Sequence, residues 1–187
     1  MAVADVAMAA GFGSVRRFND VFVQRYRMKP TALRKEGSEP TPGAALTLRL
    51  AYRPPYDING VLRFLAARQL SGIEAAVTED GLLRRTLALA HQGRRFTGWL
   101  SGRFAGADAT RHEFELQISA SLLPALGAVI ERVRQGLDLD ADPTLIEPAL
   151  ASLPGPAGLR LPNGFDGFES AVRVILGQQV TVAAART

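Results

Sequence analysis

Between Arg111 and Ile118 the side chains alternate with a period of two. His112, Phe114, Leu116 and Ile118 fall on one side, against Arg111, Glu113, Glu115 and Gln117 on the other. Only an extended strand places alternate residues on opposite faces, so this segment predicts a strand with one buried and one wet face. A half-buried strand cannot stand alone. It commits the chain to an antiparallel sheet with a single covered side. Leu46, Leu48 and Leu50 alternate with Thr47, Arg49 and Ala51 in the same way. Ile73 to Thr78 and Leu82 to Ala90 read as two more strands, joined by a hairpin turn at Asp80-Gly81. Arg95 to Phe104 reads as another, interrupted by Gly98 and Gly102.

Helical periodicity flanks this sheet. Pro54-Pro55 ends the first strand, and Asp57 caps a helix whose Ile58, Val61, Leu62 and Leu65 face a core, with Gly72 as its stop. Leu122, Leu126, Val129, Ile130 and Val133 form an apolar stripe that ends at Gly136. Asp142-Pro143 starts a shorter helix, and residues 153–164 form a loop. Asp166 then caps a helix with Phe168, Val172, Ile175 and Leu176 on one face, followed by a glycine stop and a second helix start. No helix stop precedes the final Ala-Ala-Ala-Arg-Thr. The expectation is a fragment of a larger protein, with an apolar face at residues 165–187 that calls for further helices.

Ahead of the sheet, Ala4 to Ala10 reads as a small-residue helix, broken by Gly11-Phe12-Gly13. Ser14 caps the next helix, where Val15, Phe18, Val21 and Phe22 make one buried stripe and Arg16, Arg17, Asn19 and Asp20 take the other faces. Residues 36–43, Glu-Gly-Ser-Glu-Pro-Thr-Pro-Gly, form a linker. Charge separates the segments. Residues 1–35 carry seven basic and two acidic residues, whereas the rest of the chain carries 15 basic and 16 acidic. A net positive charge confined to residues 1–35 points to a polyanion such as DNA. Twenty of the 22 basic residues are Arg, so an arginine-rich surface of no special function is the plain alternative. The chain has no cysteine and two histidines, which leaves no disulfide and argues against a bound metal. No apolar run reaches membrane-spanning length and no secretory signal opens the chain, so the expected residence is cytoplasmic.

The pattern Val6-Ala7, Gly11-Phe12-Gly13-Ser14, Phe18-Asn19, Phe22, Pro30 and Arg34 resembles the second helix-turn-helix of AraC-type transcription regulators. Arg27-Met28-Lys29 stands where the family usually has a Gly. The resemblance implies promoter DNA as partner, with Arg16 and Asn19 reading bases or clamping phosphate and Arg17 and Arg25 touching phosphate. The family has two such modules, and only the second is matched.

A longer resemblance begins at Leu50. It takes in Pro54-Pro55-Tyr56-Asp57, Phe64-Leu65-Ala66-Ala67-Arg68, Ile73-Glu74, Ile118-Ser119-Ala120, Asp138-Leu139, Asp142-Pro143, Pro156 to Pro162 and Phe165 to Val182. These residues are similar to bacterial DNA-3-methyladenine glycosylase II: its N-terminal sheet domain and the start of its helix-hairpin-helix domain. The implied fold is α+β, with a helix-turn-helix arm at 1–35, a linker at 36–43, a sheet domain at 44–141 that is half of a TATA-binding-protein-like sheet, and the incomplete start of an all-α glycosylase domain at 142–187. The implied partner is double-stranded DNA with alkylated bases, and the implied chemistry is base flipping and base excision without cofactor or metal. By the same resemblance Phe64 is the pocket aromatic and Gln179 the wedge into the gap left by the flipped base. The family's catalytic Asp has no counterpart up to residue 187, so the chain is expected to be inactive alone.

By pattern alone, Phe64 reads as helix packing, Gln178-Gln179 as a solvated helix start, Trp99 as core and His112 as buried on its strand. Asp57, Asp142 and Asp166 all sit where caps are expected. Joined, the two resemblances match the Ada-type bifunctional proteins that couple sensing of alkylation damage to repair. The rival reading is an AraC-type regulator of the alkylation response without glycosylase activity.

Overall fold

The computed structural model describes residues 13–26, 45–104, 111–153, 155–178, 180 and 184, without the side chains of Arg25 and Tyr26. The element order is α1 (Val15–Tyr26), β1 (Ala45–Ala51), α2 (Ile58–Arg68), β2 (Glu74–Val77), β3 (Leu82–His91), β4 (Arg94–Phe104), β5 (Glu113–Ser119), a 3-10 helix (Ala120–Ala125), α3 (Leu126–Gly136), α4 (Pro143–Ala149) and α5 (Gly167–Gly177). The expected helix at 4–10 and the linker at 36–43 lie outside the described residues.

All five strands form one antiparallel sheet in the order β1-β5-β4-β3-β2. Leu46, Leu48 and Leu50 stand opposite Ile118, Leu116 and Phe114, and all six are buried. This is the alternation of the sequence turned into a single covered face. The stripe on α3 closes over it, with Val129 and Val133 at 0% exposure beside Leu122 of the 3-10 helix. Helix α2 adds Val61 and Leu62. Asp57 caps α2 by accepting from the Gly60 amide at 2.8 Å, and Asp142 and Asp166 cap α4 and α5 by accepting from Thr144 and Glu169. Gly81, at φ +63°, supplies the left-handed residue that the β2–β3 turn requires.

Several expectations change. Strand β4 is unbroken: Gly102 leaves room for the Phe114 ring across the sheet, and Gly98 does the same for the Ser119 and Ser121 hydroxyls. These glycines answer a packing need rather than a conformational one. Helix α2 ends at Arg68, before Gly72, which lies in the following turn. Strand β5 starts at Glu113, and His112 before it is exposed, its ring 5.9 Å from that of Tyr52. Trp99 is 41% exposed, because β4 alternates so that Phe96, Leu100 and Phe104 take the covered face and Trp99 the open one. Among the described side chains of α1 only Phe18 is buried, and Val21 is exposed.

Helix α5 docks with its polar side inward. None of its residues is buried, and Phe168, Ile175 and Leu176 are all more than half exposed. Its Glu169 and Arg173 instead join Glu74 and Arg85, which occupy the covered face of the sheet. Arg85 is 3% exposed at its side chain. It reaches Glu74 at 3.1 Å and Glu169 at 2.8 Å, with its guanidinium 4.4 Å above the Phe165 ring. Arg173 bonds Glu74 at 2.6 Å and Glu169 at 2.5 Å.

Removing one member of a buried ion network leaves the others without a counter-charge. Arg85→Ala is therefore expected to lower stability by about 3–5 kcal/mol in urea unfolding, while Ile175→Ser, on the exposed face, stays within about 0.5 kcal/mol of the parent. Gly102→Ala is expected to cost about 1–3 kcal/mol in the same measurement, since the added methyl overlaps the Phe114 ring.

Candidate functional site

Three features converge where α2 meets the last helix. Inward-facing Val61 and Leu62 tie α2 to the core, which turns Phe64 outward. Phe64 is 39% exposed, so the packing role that its periodicity allows is not the one it takes. One turn later Arg68 folds back, its guanidinium 3.9 Å above the Phe64 ring and its Nη1 3.4 Å from the Phe64 carbonyl. Arg173 of α5 donates to the Arg68 carbonyl at 2.9 Å, which brings the C-terminal end of α2 beside α5. The exposed apolar side chains of α5 thus share a region with an aromatic ring that already accepts a cation on its face. A ring face with negative quadrupole favours a positively charged planar group over a neutral one. Arg68 was not singled out from sequence. Its signal was present in the four-residue spacing from Phe64, which aligns side chains on one helix face.

A second cluster stiffens the segment leading into α2. Arg160 is 5% exposed and donates to the carbonyls of Arg53 and Pro55, each at 2.8 Å, and its guanidinium lies 4.6 Å from the Tyr56 ring centre. The Tyr56 hydroxyl donates to the Leu137 carbonyl at 2.5 Å. Burial raises the Tyr56 phenol well above its ordinary pKa, against the opposing pull of Arg160, so it stays a donor at all physiological pH. Gly158 sits against the backbone of Pro55 and Tyr56, where a Cβ would approach to 2.5 Å, and its carbonyl accepts from the Asp57 amide at 2.8 Å. The loop at 153–164 and the start of α2 are therefore one packed unit. The Pro54-Pro55-Tyr56-Asp57 segment does more than pin a turn.

The other predicted site residues are dispersed. Gln179 lies outside the described residues. Arg16 and Arg17 are exposed on α1, whose first turn is capped by the Ser14 hydroxyl accepting from the Arg17 amide at 3.2 Å. Asn19 is half-buried, with its side-chain oxygen enclosed and without a hydrogen bond among the described residues. Arg25 belongs to the last turn of α1, its side chain outside the described residues. Asp57, Asp142 and Asp166 are engaged as caps. Among the described residues no helix is long and apolar enough to cross a membrane.

Comparison with known proteins accounts for this arrangement. Over 195 aligned residues, 98% of the chain, it is 37% identical to the probable bifunctional transcriptional activator/DNA repair enzyme AlkA of Mycobacterium tuberculosis, covering 37% of that protein. Over 138 residues, 73% of the chain, it is 38% identical to DNA-3-methyladenine glycosylase 2 of Escherichia coli, covering 45% of that protein. The chain thus spans less than half the length of these curated relatives. Residues 47–166 match the AlkA N-terminal domain, a span that holds all of the sheet but the first two residues of β1, with α2, α3 and the loop locked by Arg160, and on that match the chain belongs to the AlkA N-terminal domain family.

Proposed function

We propose that this chain supplies the sheet domain and one wall of the base pocket of an alkylated-base DNA glycosylase, joined to a DNA-reading helix-turn-helix. The observation that carries the reading is the half-exposed Phe64 ring, held outward by the buried Val61 and Leu62 of α2 and stacked with a guanidinium, in a chain of the AlkA N-terminal family. An alkylated base carries positive charge, so an electron-rich ring selects it over the neutral bases of intact DNA. The pocket is completed by further helices that cover the apolar face of α5. They bring the carboxylate that supports the cationic sugar as the glycosidic bond breaks. Gln179, just past α5, enters the gap left by the flipped base. Its size and amide take the part that an apolar plug would otherwise play.

The amino-terminal segment contributes sequence-specific binding. Arg16 and Asn19 contact bases or clamp phosphate from α1, and Arg17 and Arg25 hold phosphate. The 98% coverage of this chain in its match to a relative named as both transcriptional activator and repair enzyme supports coupling the two activities in one protein. A regulator without repair activity has less support, because the family match falls on the sheet and loop rather than on α1.

Transplantation tests the pocket reading. Residues 45–178 replace the matching segment of the Escherichia coli glycosylase, and release of 3-methyladenine from methylated DNA is followed. The chimera is expected to retain release, and Phe64→Ala within it to lower kcat/KM about tenfold or more. An unaltered kcat/KM in a folded Phe64→Ala chimera overturns the assignment. The 187-residue chain by itself is expected to release no base. The DNA-reading arm is tested separately by titrating duplex DNA at several salt concentrations. Arg16→Ala and Arg17→Ala should each reduce the slope of log affinity against log salt by about 0.9.

A further inference from the structure

The face of the sheet opposite the helices carries a second set of recognition chemistry. Strand register assigns this open face. Thr86 of β3 stands opposite Trp99 of β4, Arg84 opposite Ser101, and Ser101 in turn opposite Gln117 of β5. These residues, Trp99 among them, line a shallow depression of about 520 Å3 that is open to solvent. Within the strands, the open face presents Arg49, Arg84, Arg95 and Arg103 against Glu113 and Glu115. Arg49 pairs with Glu115 at 3.9 Å, whereas Arg84, Arg95 and Arg103 make no ion pair among the described residues. A lone exposed tryptophan needs no explanation. A tryptophan that shares its depression with Arg84 and with hydroxyl and amide groups has the composition of a surface that takes bases and phosphates together.

We infer that this open face is a binding surface for a single strand of DNA, with a nucleobase stacked on Trp99 and phosphates held by Arg84 and Arg103. A single strand fits better than a duplex. Stacking on Trp99 requires an unpaired base face, which the paired bases of a duplex do not offer. Charge complementarity favours the same occupant: among the described residues four strand arginines of this face stand against two glutamates, and a nucleic-acid strand is a line of anions at near-regular spacing. The hydroxyls of Thr86 and Ser101 and the amide of Gln117 bond to whichever base edge is offered, which makes the surface tolerant of sequence. The surface lies across the sheet from α2 and Phe64, so it stands or falls independently of the pocket reading. It gives a protein that unstacks DNA on one side a place to hold an opened strand on the other.

Trp99 is the sole tryptophan of the chain, so its fluorescence reports on this surface alone. Titration of the 187-residue chain with an oligodeoxythymidylate of about 10 nucleotides, within the usual span of such platforms, is expected to quench that emission saturably. The log–log salt slope is expected near −1.4, or about −0.7 for each of two phosphates. Arg84→Ala and Arg103→Ala should each remove about half of that slope. Trp99→Ala should weaken binding of a labelled oligonucleotide about tenfold by anisotropy, and Trp99→Phe should keep most of it. The paired change Arg16→Ala with Arg17→Ala, which disables the amino-terminal arm, should leave the quench intact. Binding that leaves Trp99 emission unchanged overturns the inference, as does equal affinity of the folded Trp99→Ala chain. Quenching that follows protein concentration without oligonucleotide also overturns it, by showing a surface for a second copy instead.

Discussion

Two arginines and two glutamates, withdrawn from water between the sheet and α5, set the arrangement of everything around them. Arg85 and Glu74 lie on the covered face, where apolar residues would be the default, and they are tolerated there because each has more than one charged partner. An unpaired charge in that position would cost several kcal/mol. The network therefore holds α5 in a single rotational setting. It turns the polar side of that helix toward the sheet and its apolar side toward solvent, and it draws the end of α2 close through the bond from Arg173 to the Arg68 carbonyl. The exposed face of α5 and its placement beside the end of α2 are two consequences of one electrostatic constraint.

A second constraint acts at the entry to α2. Arg160 makes four hydrogen-bonding and ring contacts to the 53–56 segment and its own neighbour, without a carboxylate partner among the described residues. A planar guanidinium suits this task because its donors are fixed in a fork that can bind carbonyls of separate residues. Together with Gly158 it joins the 153–164 loop to the strand-to-helix corner, so a segment that reads as a linker is part of the domain body. The match to the AlkA N-terminal family extends through this loop to residue 166, in agreement with that packing.

The division of the sheet into two faces organises the functional readings. The covered face carries the core and, at its edge, the α2–α5 region assigned to the damaged base. The open face carries Trp99 and, among the described strand residues, four arginines against two glutamates. The same two-residue period that buries Leu100 and Phe104 must expose Trp99 between them and the solvent, so the aromatic of the open face is a by-product of register that the chain has left in an electropositive setting.

Local pattern was enough for the elements. Alternation in 46–50 and 112–118, the Asp-Gly turn, the aspartate caps and the stripe from Leu122 to Val133 can each be read from the sequence, because each depends on neighbours within one turn or one pleat. The errors have the same origin. His112, Trp99, Gly98, Gly102 and Phe64 were read from their own strands or helix, and their surroundings are set by residues far along the chain. Whether a glycine breaks a strand or yields to a ring depends on what stands opposite, and whether an aromatic packs or projects depends on where its helix is anchored. The buried Arg85–Glu74–Glu169–Arg173 network belongs to the same class. No spacing rule announces it, since its four charges meet only after the strands have paired and α5 has docked. The sequence by itself determined the strands, the helices and the family. Only the tertiary structure decided which faces meet, because that choice rests on long-range charge pairing and cross-strand packing that no local period encodes.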